Sequence, residues 1–214
     1  MPGTRVVSVN VGTPREVRVG NQSVITAIFK SPVEGRVALR RNNLEGDRQA
    51  DLTVHGGPYK AVYLYPSEHY AYWAEQLPGE VLPFGMFGEN LTTAGLREDS
   101  VRIGDQFRIG SAVLQVTQPR MPCYKLGIRF NRDDMVKRFW LSGRSGIYFS
   151  VVEEGELGTG DTIELAGSGP EPITVADVVR LFMGQEKDPE KLRQAMRAPL
   201  YGGWKQELDA RRQD

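Results

Sequence analysis

The stretch VRIGDQFRIGSAVLQVTQ, residues 101–118, indicates the fold class of this 214-residue chain. Its two apolar, β-branched runs are separated by Ile109-Gly110-Ser111, a spacing typical of two antiparallel strands joined by a tight turn. Similar short runs bounded by turn residues occur on both sides of it. They are VVSVNVG, QSVITAIFKSPV, RVALR, AVYLYP and GIYFSVVEEGELGTGDTIELA. This density of strands and glycine turns predicts a mainly β fold, with a β-barrel favoured over a doubly wound sheet.

Two helices interrupt the predicted strands. Ser67 can cap the segment SEHYAYWAEQL, and Asn131 or Asp133 can cap the segment DDMVKRFWL. Apolar and aromatic residues fall on one face of each segment, so both helices are predicted to pack against the core. These residues are Tyr70, Trp73, Ala74 and Leu77 in the first segment, and Met135, Val136, Phe139 and Trp140 in the second.

The composition changes at GSGPEP, residues 167–172, which has the character of a linker. It divides the chain into a predicted β domain, residues 1–167, and a predicted domain of three short helices, residues 172–214. Thr174 with Asp177 forms a capping-box pattern, Asp188-Pro189 starts the second helix, and WKQELDARR forms the third. Three such helices bury little area alone, so they are predicted to dock on the barrel or on a second copy of the chain. A homodimer is plausible, with Phe182 or Trp204 as its anchor.

The overall composition excludes several classes of protein. Lys plus Arg and Asp plus Glu are equal at 27 each, so the chain has no net positive charge with which to bind nucleic acid or an anionic membrane. No apolar run is long enough to span a bilayer, and the first residues lack the zones of a signal peptide. The single cysteine excludes an internal disulfide and any site of several cysteines. A soluble cytoplasmic protein is expected.

The only cysteine, Cys123, lies in the segment QPRMPCYKLGIRF, residues 118–130. Two interpretations remain open for it. A single cysteine is commonly a small buried hydrophobe. The prolines on its N-terminal side stiffen the backbone, however, and neighbouring cations favour the thiolate, which attacks electrophiles and binds soft metals. Residues 118–144 contain seven basic and only two acidic side chains, which points to an anionic ligand. Arg132 and Arg138 are equally well explained as the solvated face of a helix.

Two further motifs carry polar groups suited to a site. His55 precedes Gly56-Gly57, and a glycine pair lets backbone amides approach a ligand closely. Asn90 in FGENLTT offers both hydrogen-bond donors and an acceptor, whereas Glu89 beside it is interpreted as structural. A Cys123–His55 pair is also compatible with a thiol hydrolase, although no third orienting residue can be recognised.

Four motifs together, HGGPYKAVYLYP, FGENLTT, VRIGD and QPRMPCYKL, closely resemble the MOSC family, named after the C-terminal part of molybdenum cofactor sulfurase. GDRQAD before HGG, and the three terminal helices, resemble its stand-alone YiiM-type branch. The resemblance extends from about the AIFK strand to the final helix. It implies a β-barrel that binds the molybdenum cofactor, a molybdopterin–metal complex, in a basic pocket.

The resemblance also assigns residues to that pocket. Cys123 would be the thiolate ligand of molybdenum. The other residues implied to bind the cofactor are Lys30, His55, Gly56, Asn90, Arg120, Lys125 and Arg144, with Arg120, Lys125 and Arg144 toward the phosphate. One departure is visible, since Tyr59 stands where the family's HGGPD pattern has an acid.

YiiM-like proteins are associated with the reduction of N-hydroxylated compounds, notably hydroxylaminopurine base analogues. The resemblance therefore implies a molybdenum-dependent N-hydroxylamine reductase in which His55 is a candidate proton donor. The chain contains no flavin, haem or iron–sulfur motif, so a separate reductase, expected to be a flavoprotein, would supply electrons. The alternatives are a cofactor carrier or sulfur-transfer module without turnover, and the thiol hydrolase.

Overall fold

A computed structural model describes residues 3–50 and 56–210 of the chain. Within these residues it contains thirteen strands, six α-helices and one short 3-10 helix. None of these helices is both long enough and apolar enough to cross a lipid bilayer. His55 falls in residues 51–55, outside the described residues.

The strands are β1 (Arg5–Val11), β2 (Arg15–Val19), β3 (Gln22–Thr26), β4 (Ser31–Val33), β5 (Arg36–Arg40), β6 (Asn43–Leu44), β7 (Val62–Pro66), β8 (Leu91–Ala94), β9 (Gln106–Ile109), β10 (Ala112–Pro119), β11 (Ile147–Glu153), β12 (Gly155–Gly158) and β13 (Ile163–Gly167). The helices are α1 (Glu68–Gln76), α2 (Tyr124–Phe130), α3 (Met135–Leu141), α4 (Val175–Phe182), α5 (Pro189–Arg197) and α6 (Gly202–Ala210), and the 3-10 helix is Pro58–Lys60.

The hairpin predicted from residues 101–118 is confirmed. Strands β9 and β10 pair antiparallel, with Ile109 opposite Ala112 and the turn at Gly110-Ser111. Gly110 has a φ of +60°, and a side chain there would also collide with the backbone oxygen of Glu156, 2.2 Å from an ideal Cβ. Only glycine satisfies both conditions, so this turn sets the register of the β9–β10 pair.

The predicted α+β fold with a large β component is confirmed, but the closed barrel is not found. Eight strands form one sheet in the order β13-β9-β10-β11-β7-β8-β1-β4, antiparallel except for the β7–β8 pair. Irregular registers, such as those between Val116 and Gln118 and between Leu165 and Gly167, bend the sheet. The start of β1 and the start of β13 meet at an isolated bridge between Arg5 and Thr162, with further backbone hydrogen bonds from Val6 N to Asp161 O and from Ile163 N to Thr4 O. In the described residues no continuous ladder closes the sheet.

The two predicted inner helices form, with differences in detail. In α1, Tyr70, Trp73 and Leu77 are buried as expected, but Ala74 is exposed. In α3, Met135 and Phe139 are buried, and the N-cap residue is Asp134 instead of Asn131 or Asp133. Asn131 instead ends α2 in a left-handed conformation, with a φ of +50°. The aromatic faces of α1 and α3 pack together with Tyr65 and Phe87 in a second cluster beside the main core.

The three C-terminal helices pack directly onto the sheet. Both sides of the Thr174–Asp177 capping box form, and Asp188 caps α5 with Pro189 at its first position, as predicted. Apolar residues of these helices belong to the same buried cluster as the sheet residues. Phe182 and Trp204 contact each other, with ring centres 5.1 Å apart, and both are buried in this core. Their surface is already covered within the chain, so neither is exposed as an anchor for a second copy, and the homodimer stays a prediction. The domain boundary at residues 167–172 stays a prediction.

The Asp177 carboxylate stabilises α4 and joins it to α5, and its replacement tests this role. It accepts hydrogen bonds from Thr174 N and Oγ1 and pairs with Arg180 and Lys191. Burial by itself raises the pKa of Asp177, but the hydrogen bonds from Lys191, Thr174 and Arg180 outweigh burial and lower it. We expect Asp177→Asn to reduce the free energy of unfolding at pH 7 by about 1–2 kcal/mol.

Because the folded-state pKa of Asp177 is depressed, its stabilising effect is present above the unfolded-state pKa of about 4 and disappears as the pH falls below that value. The difference between wild type and Asp177→Asn should therefore shrink from pH 5 to pH 2.5 in urea titrations. Asp99→Asn, which alters an exposed pair with Arg97, is the matched control and should change little. A difference that stays constant with pH would contradict this assignment.

Candidate functional site

A cavity of about 100 Å³ brings most of the predicted site residues together. It opens between the β3–β4 connection, the loop before the 3-10 helix, and the start of α2. The predicted residues that line it are Lys30, Gly56, Asn90, Arg120, Cys123 and Lys125. These six residues come from four separate parts of the sequence, and the fold of the sheet places them around one space.

Cys123 lies in the short connection between β10, which ends at Pro119, and α2. It is the N-cap residue of α2 in an extended conformation (φ −123°, ψ 169°), and its side chain is partly buried. Pro119 is the last residue of β10, and Pro122 immediately precedes the cysteine. Proline restricts its own φ and the conformation of the residue before it, so the short connection from 119 to 123 has few conformations available. The thiol is thereby held at the cavity wall.

Arg120 is a buried cation anchored beside that thiol. Its side chain is only 6% exposed, and its Nη1 donates a hydrogen bond to the backbone oxygen of Phe87. The guanidinium also lies over the rings of Tyr63 and Phe139, at 4.7 and 5.4 Å from their centres. A guanidinium has five N–H donors and stays protonated in proteins, so donors remain for an anionic ligand.

A buried polar network supports the opposite wall. Lys30 Nζ pairs with Asp47 Oδ1, and Asp47 also accepts from Gly12 N at 2.8 Å and from Asn90 Nδ2 at 3.0 Å. Asn90 Oδ1 in turn accepts from Tyr63 N at 3.1 Å. Burial lowers the pKa of Lys30, and the Asp47 carboxylate opposes this effect. Lys30 and Asn90 thus reach the cavity as predicted, but both are already bound to Asp47.

Tyr63, Tyr148 and Lys60 also line the cavity and contribute to its electrostatic properties. Burial raises the pKa of both Tyr63 and Tyr148, so their hydroxyls are protonated at neutral pH, and Tyr63 donates to Ser145 O at 2.9 Å. Half-buried Lys60 has a pKa lowered by burial, an effect that the nearby Cys123 opposes. Basic side chains outnumber acidic ones among the described lining residues: Lys30, Arg48, Lys60, Arg120 and Lys125 against Asp47. The cavity is therefore suited to an anion.

Gly56 of the HGG motif has a backbone conformation that favours glycine. Gly56 has a φ of +129°, and a Cβ placed on it would lie 2.1 Å from Gln49 Oε1. A side chain at position 56 would therefore displace Gln49, which lines the same cavity. This fits the expectation that the glycine pair permits close approach of the backbone.

Glu89 is a structural residue, as interpreted from the sequence. It is fully buried and accepts hydrogen bonds from Tyr70 Oη, Gly85 N, Phe87 N and Thr92 Oγ1. Burial raises its pKa, and these donors oppose that effect. Its carboxylate holds the loop before β8, and that loop supplies the Phe87 oxygen to which Arg120 is bound.

Several other polar residues lie away from the cavity. Arg144 stacks on Tyr72, 3.6 Å from the ring centre, and lines a separate depression that also contains His69, so its assignment to the cofactor pocket is not kept. His69 pairs with Glu98 at 2.8 Å. Arg132 and Arg138 both pair with exposed Asp134, which supports their interpretation as a solvated helix face.

The sequence reasoning missed Asp47, Lys60 and Tyr148. Asp47 belongs to GDRQAD and Lys60 to HGGPYK, so both lie within motifs on which the family resemblance rests. No periodicity or spacing pairs Asp47 with Lys30 or Asn90, because their contact depends on the packing of β1, β6 and β8. Tyr148 lies in a strand whose alternation predicts only that one face is buried.

Comparisons with known proteins agree with this architecture. The sequence profile of the MOSC domain matches residues 51–164. The uncharacterized protein YflK of Bacillus subtilis (strain 168) is 47% identical over 170 residues, covering 79% of this chain and 76% of YflK. Protein YiiM of Escherichia coli (strain K12) is 38% identical over 190 residues, covering 87% of this chain and 84% of YiiM. The crystal structure of YiiM from Geobacillus stearothermophilus superposes with a TM-score of 0.80 at 33% identity, covering 97% and 98%.

A longer protein is also similar. A protein of Gibberella moniliformis (strain M3125 / FGSC 7600) that is named a reductase is 31% identical over 202 residues. The match covers 93% of this chain but 36% of the fungal protein. The chain thus corresponds to about a third of that reductase.

Proposed function

Because the chain belongs to the MOSC family and to its YiiM-type branch, we propose that it is an oxidoreductase that uses the molybdenum cofactor to reduce N-hydroxylated compounds to amines. The observation that carries this proposal is the position of its only cysteine at the wall of a cavity with buried cations. The similarity to part of a protein named a reductase supports the oxidoreductase class.

The residues at the cavity suit the chemistry of the cofactor. Molybdopterin presents a sulfur-bound metal and a phosphate group. A cysteine thiolate is a ligand for soft, sulfur-rich metal centres, so Cys123 would bind the metal. Arg120 and Lys125, both buried at the cavity, would bind the phosphate through charge-assisted hydrogen bonds. Lys30, Gly56 and Asn90 would shape the remaining wall, with Asp47 fixing Lys30 and Asn90 in place.

The chain's own residues would hold the substrate and deliver protons. Conversion of an N–OH group to N–H consumes two electrons and two protons and releases water. The chemistry that the bound cofactor supplies is removal of the hydroxyl oxygen. Tyr148, kept protonated by burial, can donate a hydrogen bond to that oxygen, and the Lys60 ammonium adds positive charge at the same edge of the cavity. His55, the predicted proton donor, lies outside the described residues.

A separate reductase would return the electrons. This proposal is supported by the sequence, which contains no recognisable flavin, haem or iron–sulfur motif. A flavoprotein fits the role because flavins pass electrons between two-electron donors and metal centres.

The test is turnover by the wild-type protein purified from cells that make the molybdenum cofactor. We expect about one molybdenum per chain by mass spectrometry, and conversion of 6-N-hydroxylaminopurine to adenine when a reduced flavoprotein donor or reduced methyl viologen is added. Protein from cells unable to make the cofactor is the control and should be inactive. Molybdenum binding without product with every donor would indicate a cofactor carrier instead. Trapping of the thiol by acyl probes in metal-free protein, without reduction, would indicate a thiol hydrolase.

A further inference from the structure

Two arginines lie over one aromatic ring near the Cys123 cavity. The guanidinium carbon of Arg15, the first residue of β2, is 3.5 Å from the centre of the Phe29 ring. That of Arg129, in the last turn of α2, is 5.0 Å from the same centre. Arg15 is exposed, whereas Arg129 is partly buried. The fold thus brings two positive charges from distant parts of the chain close together, and we call these two residues the arginine pair.

Neither guanidinium of the arginine pair has a hydrogen bond or an ion pair within the described part of the chain. The Nε of Arg129 is buried and has no acceptor there. Arg132 and Arg138 show the ordinary situation, because both pair with Asp134. A partly buried guanidinium without an acceptor, beside a second guanidinium, is unfavourable, since it has lost water and has a repulsive neighbour.

No acidic side chain among the described residues neutralises the arginine pair. Burial and the charge of Arg15 lower the pKa of Arg129, and the carboxylate of Glu89 opposes them. Glu89 is not available as a partner, because it is fully buried and already accepts hydrogen bonds from four donors. Glu16, next to Arg15 on β2, accepts from Ser23 Oγ, and neighbouring residues of a strand point to opposite faces.

The helix dipole explains only half of this arrangement. A cation in the last turn of a helix is stabilised by the carbonyl groups at the C-terminus, which accounts for Arg129. It does not account for Arg15, which comes from the β2–β3 hairpin. This hairpin pairs with no other strand of the described residues, so the ladders of the large sheet do not impose its position. The close approach of the two charges therefore needs another reason.

The arginine pair lies at the margin of the Cys123 cavity. Ile28, which precedes Phe29, lines this cavity, and so does Lys125, one turn before Arg129 on the same face of α2. The pair itself is not part of the cavity lining. A second cavity of about 300 Å³, which α6 covers, also reaches Cys123 but contains neither arginine. The pair is thus a separate cationic group next to the candidate site.

We propose that the arginine pair binds a phosphate group, which is either free inorganic phosphate or the phosphate ester of a nucleotide-sized molecule. The site is separate from the cofactor site of the proposed function and does not depend on it. A guanidinium presents its N–H donors in a planar fork that fits two oxygens of a phosphate, and a phosphate has oxygens for two such forks. A carboxylate has oxygens for only one. A phosphate beside the Phe29 ring would offset the repulsion and supply an acceptor for Arg129.

Calorimetric titration with inorganic phosphate and with AMP tests this site, in protein from cells that cannot make the molybdenum cofactor. We expect wild type to bind, and Arg15→Gln and Arg129→Gln each to weaken the binding about tenfold, because each variant loses one charged fork. Arg18→Gln is the matched control and should bind as wild type does, since Arg18 is an exposed arginine on the opposite face of β2. Equal affinities would identify the free phosphate group as the ligand, and tighter binding of AMP would identify an ester.

Thermal unfolding distinguishes a ligand site from a purely structural contact. Without phosphate, Arg15→Gln should melt at or slightly above the temperature of wild type, because it removes a repulsive charge. Phosphate at about ten times its Kd should raise the melting temperature of wild type by roughly 3–6 °C, and that of Arg15→Gln by much less. Arg129→Lys keeps the charge but loses the fork, so it should retain only part of the phosphate affinity.

Two results would overturn this inference. One is binding of phosphate and AMP with the same affinity by wild type, Arg15→Gln and Arg129→Gln, and the other is no binding by wild type at millimolar concentrations of either probe. A lower melting temperature of Arg15→Gln together with unchanged binding would show that the pair only holds Phe29 in place. None of these results bears on the proposed function, which is tested by molybdenum content and turnover.

Discussion

Under the proposed function, replacement of Cys123 by serine should leave the purified protein without molybdenum and reduce N-hydroxylamine reduction by about 100-fold or more. The physical reason is the difference between the two side chains as ligands. A cysteine thiolate is a soft ligand for a sulfur-bound metal, whereas a serine hydroxyl is a hard, weak ligand for it. Arg120 and Lys125 would still attract the phosphate, so the pterin could bind weakly while the metal would no longer be held.

The experiment compares molybdenum content and turnover in wild type, Cys123→Ser and Tyr124→Phe, all purified from the same cofactor-producing cells. Tyr124 is adjacent and 59% exposed, so its variant controls for disturbance at the start of α2. Thermal unfolding should show that Cys123→Ser is folded, since the side chain is only partly buried. Equal molybdenum content in wild type and Cys123→Ser would reject Cys123 as the ligand.

The second large effect concerns stability. Asp47→Asn should lower the free energy of unfolding by about 3–5 kcal/mol, because it leaves the buried Lys30 ammonium without its counter-charge. Asparagine keeps an acceptor for Gly12 N, but its amide nitrogen cannot accept from Asn90 Nδ2, so the loss combines the charge pair with that one hydrogen bond. Urea titration at pH 7 measures the difference, and Glu154→Gln, which alters an exposed pair with Arg40, is the control and should have little effect.

The pH dependence of Asp47→Asn gives an additional check. Burial lowers the folded-state pKa of Lys30. At pH values between that pKa and the unfolded-state pKa of about 10.4, the unfolded chain therefore binds more protons than the folded chain. Stability contributed by Lys30 therefore rises with pH in this range. Asp47 opposes the lowering of the Lys30 pKa, so its loss lowers that pKa further. The difference in free energy of unfolding between wild type and Asp47→Asn should therefore become smaller between pH 7 and pH 10.

A double variant distinguishes the charge pair from simple loss of packing. Lys30→Met together with Asp47→Asn removes both charges, and it should recover at least half of the stability that Asp47→Asn loses. A double variant as unstable as the single one would show that the carboxylate acts through its other hydrogen bonds and not through Lys30.

Local structure was predictable wherever it depends on neighbouring residues. The β9–β10 hairpin, the Thr174–Asp177 capping box and the Asp188-Pro189 helix start all form as the sequence indicated. Each depends on φ values or hydrogen bonds within a few residues, which residue type alone constrains. The closed barrel was not predictable in the same way, because closure depends on bends and registers accumulated over eight strands.

The residues of the candidate site show the same difference between what local sequence predicts and what depends on tertiary packing. The motifs identified Lys30, Gly56, Asn90, Arg120, Cys123 and Lys125 as residues of one site, and the cavity contains all six. Arg144 lies in a separate depression against Tyr72, because charge near Cys123 in sequence does not give the direction in which a side chain leaves the loop after α3. Asp47 was left out, although it holds two members of the site, because its partners are 17 and 43 residues away.

The sequence by itself determined the strand-rich fold class, the caps and turns, the MOSC-type motifs and the one thiol with its surrounding cations. Only the tertiary structure decided which charges are paired and that α6 covers a second cavity beside Cys123. It also shows that the Gln118 side chain is buried and has no hydrogen-bond partner among the described residues. The physical reason is the separation along the chain over which each interaction acts. Backbone preferences and capping hydrogen bonds act over a few residues, whereas burial and cavity shape arise from packing between segments that the chain order does not place side by side.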